Sequence, residues 1–300
     1  MNRKYCGFLL INKEPSVSSH AVLRPIKKLF DCKIGHTGTL DPMATGMLVC
    51  AVGESRKFIQ YAQARANKCY QACIQLGCNT ETSDITGTVI SRMPVPSLST
   101  EYISSIIQKK FIGDIYQKPP IYSALKYQGK PYYYYARRNE TIPIQPRKVS
   151  IFSISDVNYD RQLHQINFKV LVSAGTYIRA LAVDLASALD TIGCLASLHR
   201  IYADPWKNQP MYTLDTLVNH SQPEQLLLPI DTALPHYQRV RLTQSVLTSL
   251  YHGQIVSIDR CPQELVEGSI YLATDDADQF MGLVERRENG IKALRMLRME

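Results

Sequence analysis

The sequence predicts an α+β fold with a mixed, mostly antiparallel central sheet and a small C-terminal β-rich module. Three observations predict it. Residues 68–76 alternate apolar and polar side chains with the period of two that is typical of a half-buried strand. Residues 178–189 instead repeat apolar side chains at helical spacing. Near the C-terminus, Asn289-Gly290 separates two strand-like runs, as in a two-residue β-hairpin.

Short strands and helices alternate through the first half of the chain. The patterns predict a strand over 6–12, a helix over about 19–30, a strand over 46–52, a helical stretch over 55–64, the strand 68–76, a turn over 83–87 leading into a strand over 88–91, and a helix over about 99–109. Ser18-Ser19 is a candidate cap for helix 19–30. Pro25 falls inside that helix, which is therefore either kinked or begins near the proline.

The second half divides into three parts. The patterns predict strands near 148–157 and 163–173, then a helix with Ile178, Leu181, Leu185 and Leu189 on one face, a short helix near 213–219, a helix over 241–252, and strands over 270–274, 280–285 and 291–297. Five prolines make 203–237 a less regular connecting region. We therefore expect a main domain over 1–237 and a small module over 238–300.

Composition describes a basic globular protein. Lysine and arginine total 34 against 26 acidic residues, so the net charge is +8, which suits a polyanionic partner such as nucleic acid. No run approaches the ~18 apolar residues that a membrane span needs. The apolar N-terminal stretch is short and is interrupted by Asn12-Lys13, so we do not interpret it as a signal peptide. We expect a cytoplasmic monomer without a membrane partner.

The eight cysteines include no Cys-x-x-Cys pair. Cys69, Cys73 and Cys78 are close in sequence, but no fourth ligand lies nearby, so we expect reduced, mostly buried thiols and no metal site. The acidic residues around Ser83-Asp84 lack the Asp-x-Asp-x-Asp-Gly pattern of a calcium loop, and a side-chain-capped turn is the expected structure there.

The segment Gly35–Gly46 reads Gly-His-Thr-Gly-Thr-Leu-Asp-Pro-Met-Ala-Thr-Gly. Asp41 stands between a glycine-punctuated loop and the apolar run of the next strand, and Pro42 favours an extended Asp41. An extended residue at such a junction presents its carboxylate on one defined side. Asp-Pro is also a common turn signal, so the residues alone leave a catalytic and a turn-forming aspartate both open.

This string resembles the signature of the TruB family of tRNA pseudouridine synthases. Five further blocks follow in the family's order: Lys68-Cys-Tyr70, Leu76-Gly77 with Thr80–Asp84, Pro119–Lys126, Tyr135-Ala-Arg137 and Gly175–Arg179. Together they cover roughly the first two hundred residues. The resemblance implies a pseudouridine synthase fold, an isomerase without a cofactor, and uridine 55 (tRNA numbering) in the T loop as substrate. The C-terminal residues resemble the PUA-type RNA-binding module of bacterial members by position only.

The resemblance also assigns roles to residues. Asp41 would be the nucleophile or base at the sugar, and Arg179 its ion-pair partner, expected to lower the aspartate's pKa. Tyr70 would take part at the catalytic centre and stack on the flipped base. Tyr177 and Leu198 would line the uridine pocket, and His36 would brace the RNA stack. On residues alone, the commoner interpretations are a surface cation for Arg179, a core aromatic for Tyr70 and a loop hydrogen-bonder for His36.

One further stretch bears on RNA binding. Tyr132–Tyr135 lies among seven lysines and arginines, a mixture that suits phosphate and base contacts, although one or two of the tyrosines are expected in the core.

The sequence departs from the family at Asn12–Ser16, where the usual glycine is lost, and at His199, where a basic residue is usual. The first departure puts loop geometry in doubt, not the chemistry.

Two alternatives remain from sequence. One is a non-catalytic RNA-binding or tRNA-folding protein on the same scaffold, which the presence of Asp41 disfavours. The other is a guide-RNA-dependent relative, which the short N-terminus and the length of 300 residues disfavour. We expect the T stem-loop of tRNA as partner and no guide RNA.

Overall fold

A computed structural model describes residues 5–64, 66–261 and 264–297. Its strands are β1 (Gly7–Lys13), β2 (Ile34–His36), β3 (Thr45–Val52), β4 (Lys68–Leu76), β5 (Cys78–Thr80), β6 (Val89–Arg92), β7 (Gly113–Gln117), β8 (Lys126–Tyr127), β9 (Lys130–Pro131), β10 (Arg147–Asp160), β11 (Gln165–Val172), β12 (Gly193–Ala203), β13 (Gln238–Arg241), β14 (Ile270–Thr274), β15 (Phe280–Arg287) and β16 (Gly290–Met296). Its α-helices are α1 (Ser19–Phe30), α2 (Ile59–Gln63), α3 (Thr100–Lys110), α4 (Tyr132–Ala136), α5 (Ile178–Ala188), α6 (Leu214–Val218) and α7 (Gln244–Tyr251).

The central sheet runs in the order β1-β3-β12-β4-β11-β10-β7, with β2 also paired to β3. The pair β3–β12 is parallel, and the other pairings described in this sheet are antiparallel. Since β1 covers one edge of β3 along its length, β2 and β12 share the other edge, at opposite ends of β3. The loop 37–44 emerges between them. The predicted α+β class with a mixed, mostly antiparallel sheet is confirmed.

The largest difference from the sequence analysis is β12, a central strand that the local patterns did not indicate. Gly193–Ala203 lies between β3 and β4, and most of its residues are buried on both faces of the sheet. Burial on both faces removes the alternation by which a half-buried strand is recognised. Strands β2 and β7 were missed because they are short and lie at the margins of the sheet.

Two predicted helices differ from the observed elements, one in helix type and the other in where it begins. The stretch 55–64 is a 3₁₀ helix, Gly53–Phe58, followed by the short α2. The predicted helix 241–252 begins only at Gln244: Arg241 is the last residue of β13, which pairs in parallel with β14, and Thr243 is the N-cap of the helix. Helix α1 runs without interruption through Pro25, and Ser18 caps it by accepting a hydrogen bond from the Ala21 amide.

Both faces of the central sheet are buried. Alternate residues of β3 belong to two apolar clusters, with Leu48 in one and Met47 in the other. The first cluster packs under α1, α3 and α5. The second is closed by residues of 203–237, among them Trp206 and Leu234, so this predicted connecting region covers the sheet as well as linking two parts of the chain.

A second sheet, in the order β13-β14-β15-β16, forms the predicted C-terminal β-rich part. Leu272 and Leu283 of this sheet belong to the same apolar cluster as the central strands, and the rings of Phe58 and Phe280 lie 5.2 Å apart. These contacts cross the predicted boundary between residues 237 and 238. That boundary therefore stays a proposal.

The four consecutive tyrosines form most of α4. Tyr132 and Tyr135 are buried and Tyr133 is exposed, which confirms the prediction that one or two of them belong to the core. Lys130 lies 4.3 Å from the centroid of the Tyr134 ring, so cations and rings are interleaved on the outer face.

Candidate active site

The peptide units on both sides of Asp41 are anchored by buried polar side chains. Ser19, the first residue of α1, accepts a hydrogen bond from the Leu40 amide at 2.9 Å and donates one to the Leu40 carbonyl at 2.8 Å. Lys13, the last residue of β1, donates to the Pro42 carbonyl at 3.0 Å. The backbone that carries Asp41 is therefore fixed from both directions.

Arg179, in the first turn of α5, binds the Asp41 carboxylate with two nitrogens. Its Nε donates to Oδ2 at 2.9 Å and its Nη2 to Oδ1 at 3.0 Å, which is the bidentate geometry that a guanidinium makes with a carboxylate. The Thr82 and Tyr122 carbonyls accept two further hydrogen bonds from the same guanidinium. The Arg179 side chain is 4% exposed and that of Asp41 30%, so the aspartate is the open end of the pair.

A second carboxylate, Asp84, stands behind this pair. Its Oδ2 lies 3.9 Å from the Arg179 Nε, and its Oδ1 accepts hydrogen bonds from the Thr82 hydroxyl at 3.0 Å and the Thr86 amide at 3.0 Å. The turn predicted at 83–87 is thus capped by a side chain, as expected. This turn also brings a second negative charge to the guanidinium.

The net effect of the site is to raise the pKa of the Asp41 carboxyl above its ordinary value of 3.8. Burial is the main cause, and the Asp84 charge adds to it, while Arg179 lowers the pKa. Arg179 lowers the pKa of Asp41, as expected, but burial outweighs the arginine. Arg179 thus opposes the effect of burial and favours the ionised form of Asp41.

Asp41 and Arg179 open onto a cavity of about 230 Å³. Tyr70 from β4, Tyr177 from the start of α5 and Leu198 from β12 line the same cavity. The structure therefore brings five of the six predicted site residues together. Tyr70 and Leu198 are almost fully buried, at 6% and 7% exposed, so they form a largely apolar wall.

Two cations also line the cavity. Arg200 is 1% exposed and donates to the Met47 carbonyl at 2.6 Å and the Gly38 carbonyl at 3.1 Å, with its guanidinium 6.0 Å from the Tyr70 ring centroid. Lys68 lies beside it. Burial, together with the charge of Arg200, lowers the pKa of Lys68 to about 8. The cavity combines an apolar wall with a cationic one.

The close approach of β3 and β12 requires a glycine. Gly46 has φ +93°, and a Cβ there would lie 2.3 Å from the Arg200 carbonyl oxygen. On the neighbouring pair, the Thr45 hydroxyl and the His199 Nδ1 are 2.9 Å apart. Burial lowers the pKa of His199, so the residue that departs from the family pattern is held as a neutral hydrogen-bonding partner.

Gln117 fixes the backbone of Tyr177. Its side-chain oxygen accepts from the Tyr177 amide at 2.8 Å, and its side-chain nitrogen donates to the Tyr177 carbonyl at 3.0 Å. Gln117 ends β7 and is 2% exposed. Strand β7 is therefore tied to the start of α5, two residues before Arg179.

His36 is set apart from the other predicted site residues. It pairs with Cys50 as the last residue of β2 and does not line the cavity. Its Nδ1 is buried without a hydrogen-bond partner among the described atoms. Burial lowers the pKa of His36, and the charges of Arg200 and His20 lower it further. The ring is half-buried beside the loop that carries Asp41.

Several residues that hold the site were not identified as site residues from sequence. These are Lys13, Ser19, Asp84, Gln117 and Arg200, all buried. Each belongs to a type that is usually exposed, and a buried example has no mark of its own in a single sequence. Asp84 ends the quoted family block Thr80–Asp84, and Arg200 follows Leu198 and His199, which were both compared with the family; these positions are the signal by which the two residues could have been found.

No group of three or more histidine, cysteine, aspartate or glutamate side chains that could hold a metal ion is present in residues 5–64, 66–261 and 264–297. Within the same ranges, no helix is long and apolar enough to cross a membrane.

The fold is that of pseudouridine synthases. A crystal structure of a Cbf5–Nop10–Gar1 complex superimposes with a TM-score of 0.73 over 97% of this chain and 84% of the matched chain, at 22% identity. The archaeal box H/ACA sRNP Nop10–Cbf5 complex gives a TM-score of 0.72 over 98% and 86% of the two chains, at 20% identity. At such identities the likeness concerns the fold alone.

Sequence similarity identifies the family. Residues 27–178 match the model of the N-terminal domain of the TruB family of pseudouridylate synthases. The tRNA pseudouridine synthase B of Francisella tularensis subsp. novicida (strain U112) is 41% identical over 213 residues, which are 70% of this chain and 69% of the relative. The chain belongs to the TruB family of pseudouridylate synthases, and the resemblance noted in the sequence is confirmed.

Proposed function

We propose that this protein is a tRNA pseudouridine synthase that isomerises uridine 55 in the T loop. The single observation that carries the proposal is the Asp41 carboxylate, fixed by Arg179 at 2.9 and 3.0 Å and opening onto a closed-in cavity. Membership of the TruB family and the names of its relatives support tRNA as the substrate. The choice of uridine 55 rests on the family resemblance.

The reaction breaks the N1–C1′ glycosidic bond, turns the uracil, and forms a C5–C1′ bond in its place. The hydrogen on C5 of the substrate is lost and one is gained on N1, so nothing is oxidised or transferred to a second molecule. No cofactor is needed for this balance. Uracil can leave as a delocalised anion, so one carboxylate suffices where a glycosidase uses two.

Asp41 is the proposed nucleophile. Its anion is held by Arg179 against the rise in pKa that burial causes, and its direction is fixed because the neighbouring peptide units bind Ser19 and Lys13. A carboxylate with one orientation and few waters around it can act at the sugar or at the ring with little reorganisation. We assign Arg179 as the residue that keeps Asp41 ionised and oriented.

The remaining cavity residues are proposed to hold the flipped nucleotide. A uridine inside folded RNA must leave its stack before the sugar can be reached. Tyr70 offers a ring for stacking, and Tyr177 and Leu198 form the rest of the pocket. His36, which does not line the cavity, is proposed to contact the RNA that remains stacked. The C-terminal sheet is proposed as a PUA-like RNA-binding module, and the protein as a cytoplasmic monomer.

The test is to incubate an unmodified tRNA transcript with the purified protein alone and to map pseudouridine in the RNA. We expect product at position 55 without guide RNA, metal or cofactor. Asp41→Asn keeps size and polarity but removes the anion, so it should abolish turnover while tRNA affinity stays within a few-fold. Leu163→Ala, at a 58% exposed side chain, is the matched control.

The outcomes separate the alternatives. Full activity of the Asp41→Asn protein would exclude Asp41 as the catalytic group. Tight tRNA binding with no product from the wild-type protein would favour the non-catalytic RNA-binding alternative. Product that forms only when a second RNA is added would favour a guide-dependent enzyme.

A further inference from the structure

A concave basic surface lies next to the candidate active site and is not used by the proposed chemistry. It has a volume of about 380 Å³ and is lined by two apolar residues, Leu23 and Ile34, and by five cationic or basic residues: His20, Arg24, Lys27, Lys33 and Arg56. We call these five residues and the concavity between them the α1 groove. All five side chains are exposed, and no acidic residue lines the concavity.

The charges of the groove are not neutralised within the protein. None of the five residues forms an ion pair with an aspartate or glutamate in the described part of the chain. His20, Arg24 and Lys27 are spaced i, i+4 and i+7, so they share one face of α1. Like charges at this spacing cost a few tenths of a kcal/mol per pair in a helix. A polyanion bound on this face would relieve that repulsion.

The groove is connected to the loop that carries Asp41 through the start of α1. Ser19, which binds both polar groups of the Leu40 peptide, immediately precedes His20 in α1. On the other side, Ile34 of the groove and His36 belong to the same three-residue strand, β2. From His20 to Lys27 the helix rises ~10 Å. A nucleic-acid strand presents one charge per ~3.4 Å along its axis, so this length matches about three phosphates.

We infer that the α1 groove binds the phosphate backbone of the RNA strand adjacent to the flipped nucleotide. The inference rests on the proposed function, because it takes RNA as the molecule that enters the cavity. Arg24, Lys27, Lys33 and Arg56 contact phosphates without reading bases. The two apolar residues support the stems of the cationic side chains. The groove thus holds the register of the RNA while Asp41 acts on one nucleotide.

The test is the double variant Arg24→Gln/Lys27→Gln, compared with Lys109→Gln/Lys110→Gln. The control removes the same number of exposed positive charges from α3, which packs against β10, away from β1 and β2 in the sheet order. Glutamine has nearly the helix propensity of lysine and arginine, and melting curves check that both variants stay folded. Equilibrium binding of an unmodified tRNA transcript is measured from about 50 to about 300 mM KCl.

We expect the groove variant to bind tRNA at least roughly tenfold more weakly at about 0.1 M salt, with a plot of log K against log [salt] shallower by about 2. The control should lose much less in both quantities. In turnover, the loss should fall in KM rather than in kcat. If the two variants show the same salt dependence and the same affinity, the inference is overturned.

The outcome of the groove test can be distinguished from the outcome of the test of the proposed function. If the wild-type protein forms pseudouridine and the two variants have equal tRNA affinity and salt dependence, the inference about the groove is excluded and the proposed activity stands. Absence of any product, together with a shallower salt dependence of the groove variant alone, would remove the activity and leave the groove as an RNA-binding site.

Discussion

Arg179 donates hydrogen bonds to both carboxylate oxygens of Asp41, at 2.9 and 3.0 Å, although the two residues are 138 positions apart in sequence. The same guanidinium also binds two backbone carbonyls, so its position is fixed independently of the aspartate. The pKa of Asp41 is therefore lowered by a guanidinium that two backbone carbonyls hold in place. This relationship can be tested through the pH dependence of the reaction.

Replacing Arg179 by lysine should shift the acid limb of the pH–rate profile to higher pH. Arg179 lowers the pKa of Asp41, and an ammonium that cannot form the fork will lower it less. The reaction needs the anion, so activity is lost as pH falls through the pKa, and a higher pKa moves that loss upward. We expect kcat at neutral pH to fall at least roughly tenfold. An acid limb that stays in place would contradict this assignment.

Replacing Asp84 by asparagine should move the acid limb the other way. The Asp84 charge raises the pKa of Asp41, so its removal lets that pKa fall toward the ordinary value. Asparagine keeps an acceptor oxygen for Thr82 and Thr86, which preserves the turn. The measurement is the same pH–rate profile, beside that of Arg179→Lys. Shifts of the same sign in both variants would show that structural damage, not charge, is being observed.

Affinity for RNA should decrease as pH rises through about 8, because the pKa of Lys68 is lowered to about 8 by burial and by Arg200. Lys68 is cationic below that pH and neutral above it, and an anionic ligand favours the charged form. Lys68→Met should remove this pH dependence, and Lys68→Arg should keep high affinity to higher pH. The dissociation constant for tRNA between about pH 7 and 9 is the measurement. An unchanged profile in Lys68→Met would assign the effect to another group.

Phe280→Ala should destabilise the whole protein rather than the C-terminal sheet alone. The Phe280 ring packs at 5.2 Å from Phe58, within the apolar cluster shared by the two sheets. Loss of a half-buried phenylalanine costs about 2 kcal/mol, so the melting temperature should drop by a few degrees. Val266→Ala, at a 68% exposed position, is the control. Equal melting temperatures for the two variants would indicate that the sheets fold independently.

The same contact predicts the result of deleting residues 238–300. Every proposed catalytic residue lies before residue 200, so a T-arm stem-loop should still be modified, while full-length tRNA should be bound more weakly. The deletion also uncovers Phe58 and its apolar neighbours, so the truncated protein should melt well below the intact chain. Circular dichroism and a melting curve distinguish lost binding from lost structure. Unchanged tRNA affinity in a folded truncated protein would remove the RNA-binding role of this sheet.

Local patterns predicted those elements that have one buried and one exposed face. Strand β4 and helix α1 are examples, and their observed limits, Lys68–Leu76 and Ser19–Phe30, match the predicted ones. Strand β12 was missed because burial on both faces leaves no periodicity to detect. Strand β13 was not predicted, because its four residues, with only Val240 buried, give too short a pattern.

At the candidate site, the family motif identified five residues that line the cavity but not those that hold them in place. Lys13 illustrates the reason. Its ammonium binds three backbone carbonyls, at 2.7 to 3.0 Å, and is 1% exposed, yet in sequence it is an ordinary lysine at the end of a strand. Such roles depend on which carbonyls come together in space, and a single sequence does not record that.

Strand β12 has a consequence for how the protein is made on the ribosome. It lies between β3 and β4, although it is synthesised after both, as residues 193–203 of 300. Until it emerges, the early strands β1 and β3 lack the strand that joins them to β4, β11 and β10. The loop that carries Asp41 and the strand that carries Tyr70 therefore lie on opposite sides of a strand that is synthesised after both. In the folded chain, this late strand joins the two parts of the sheet and places Arg200 beside Gly46.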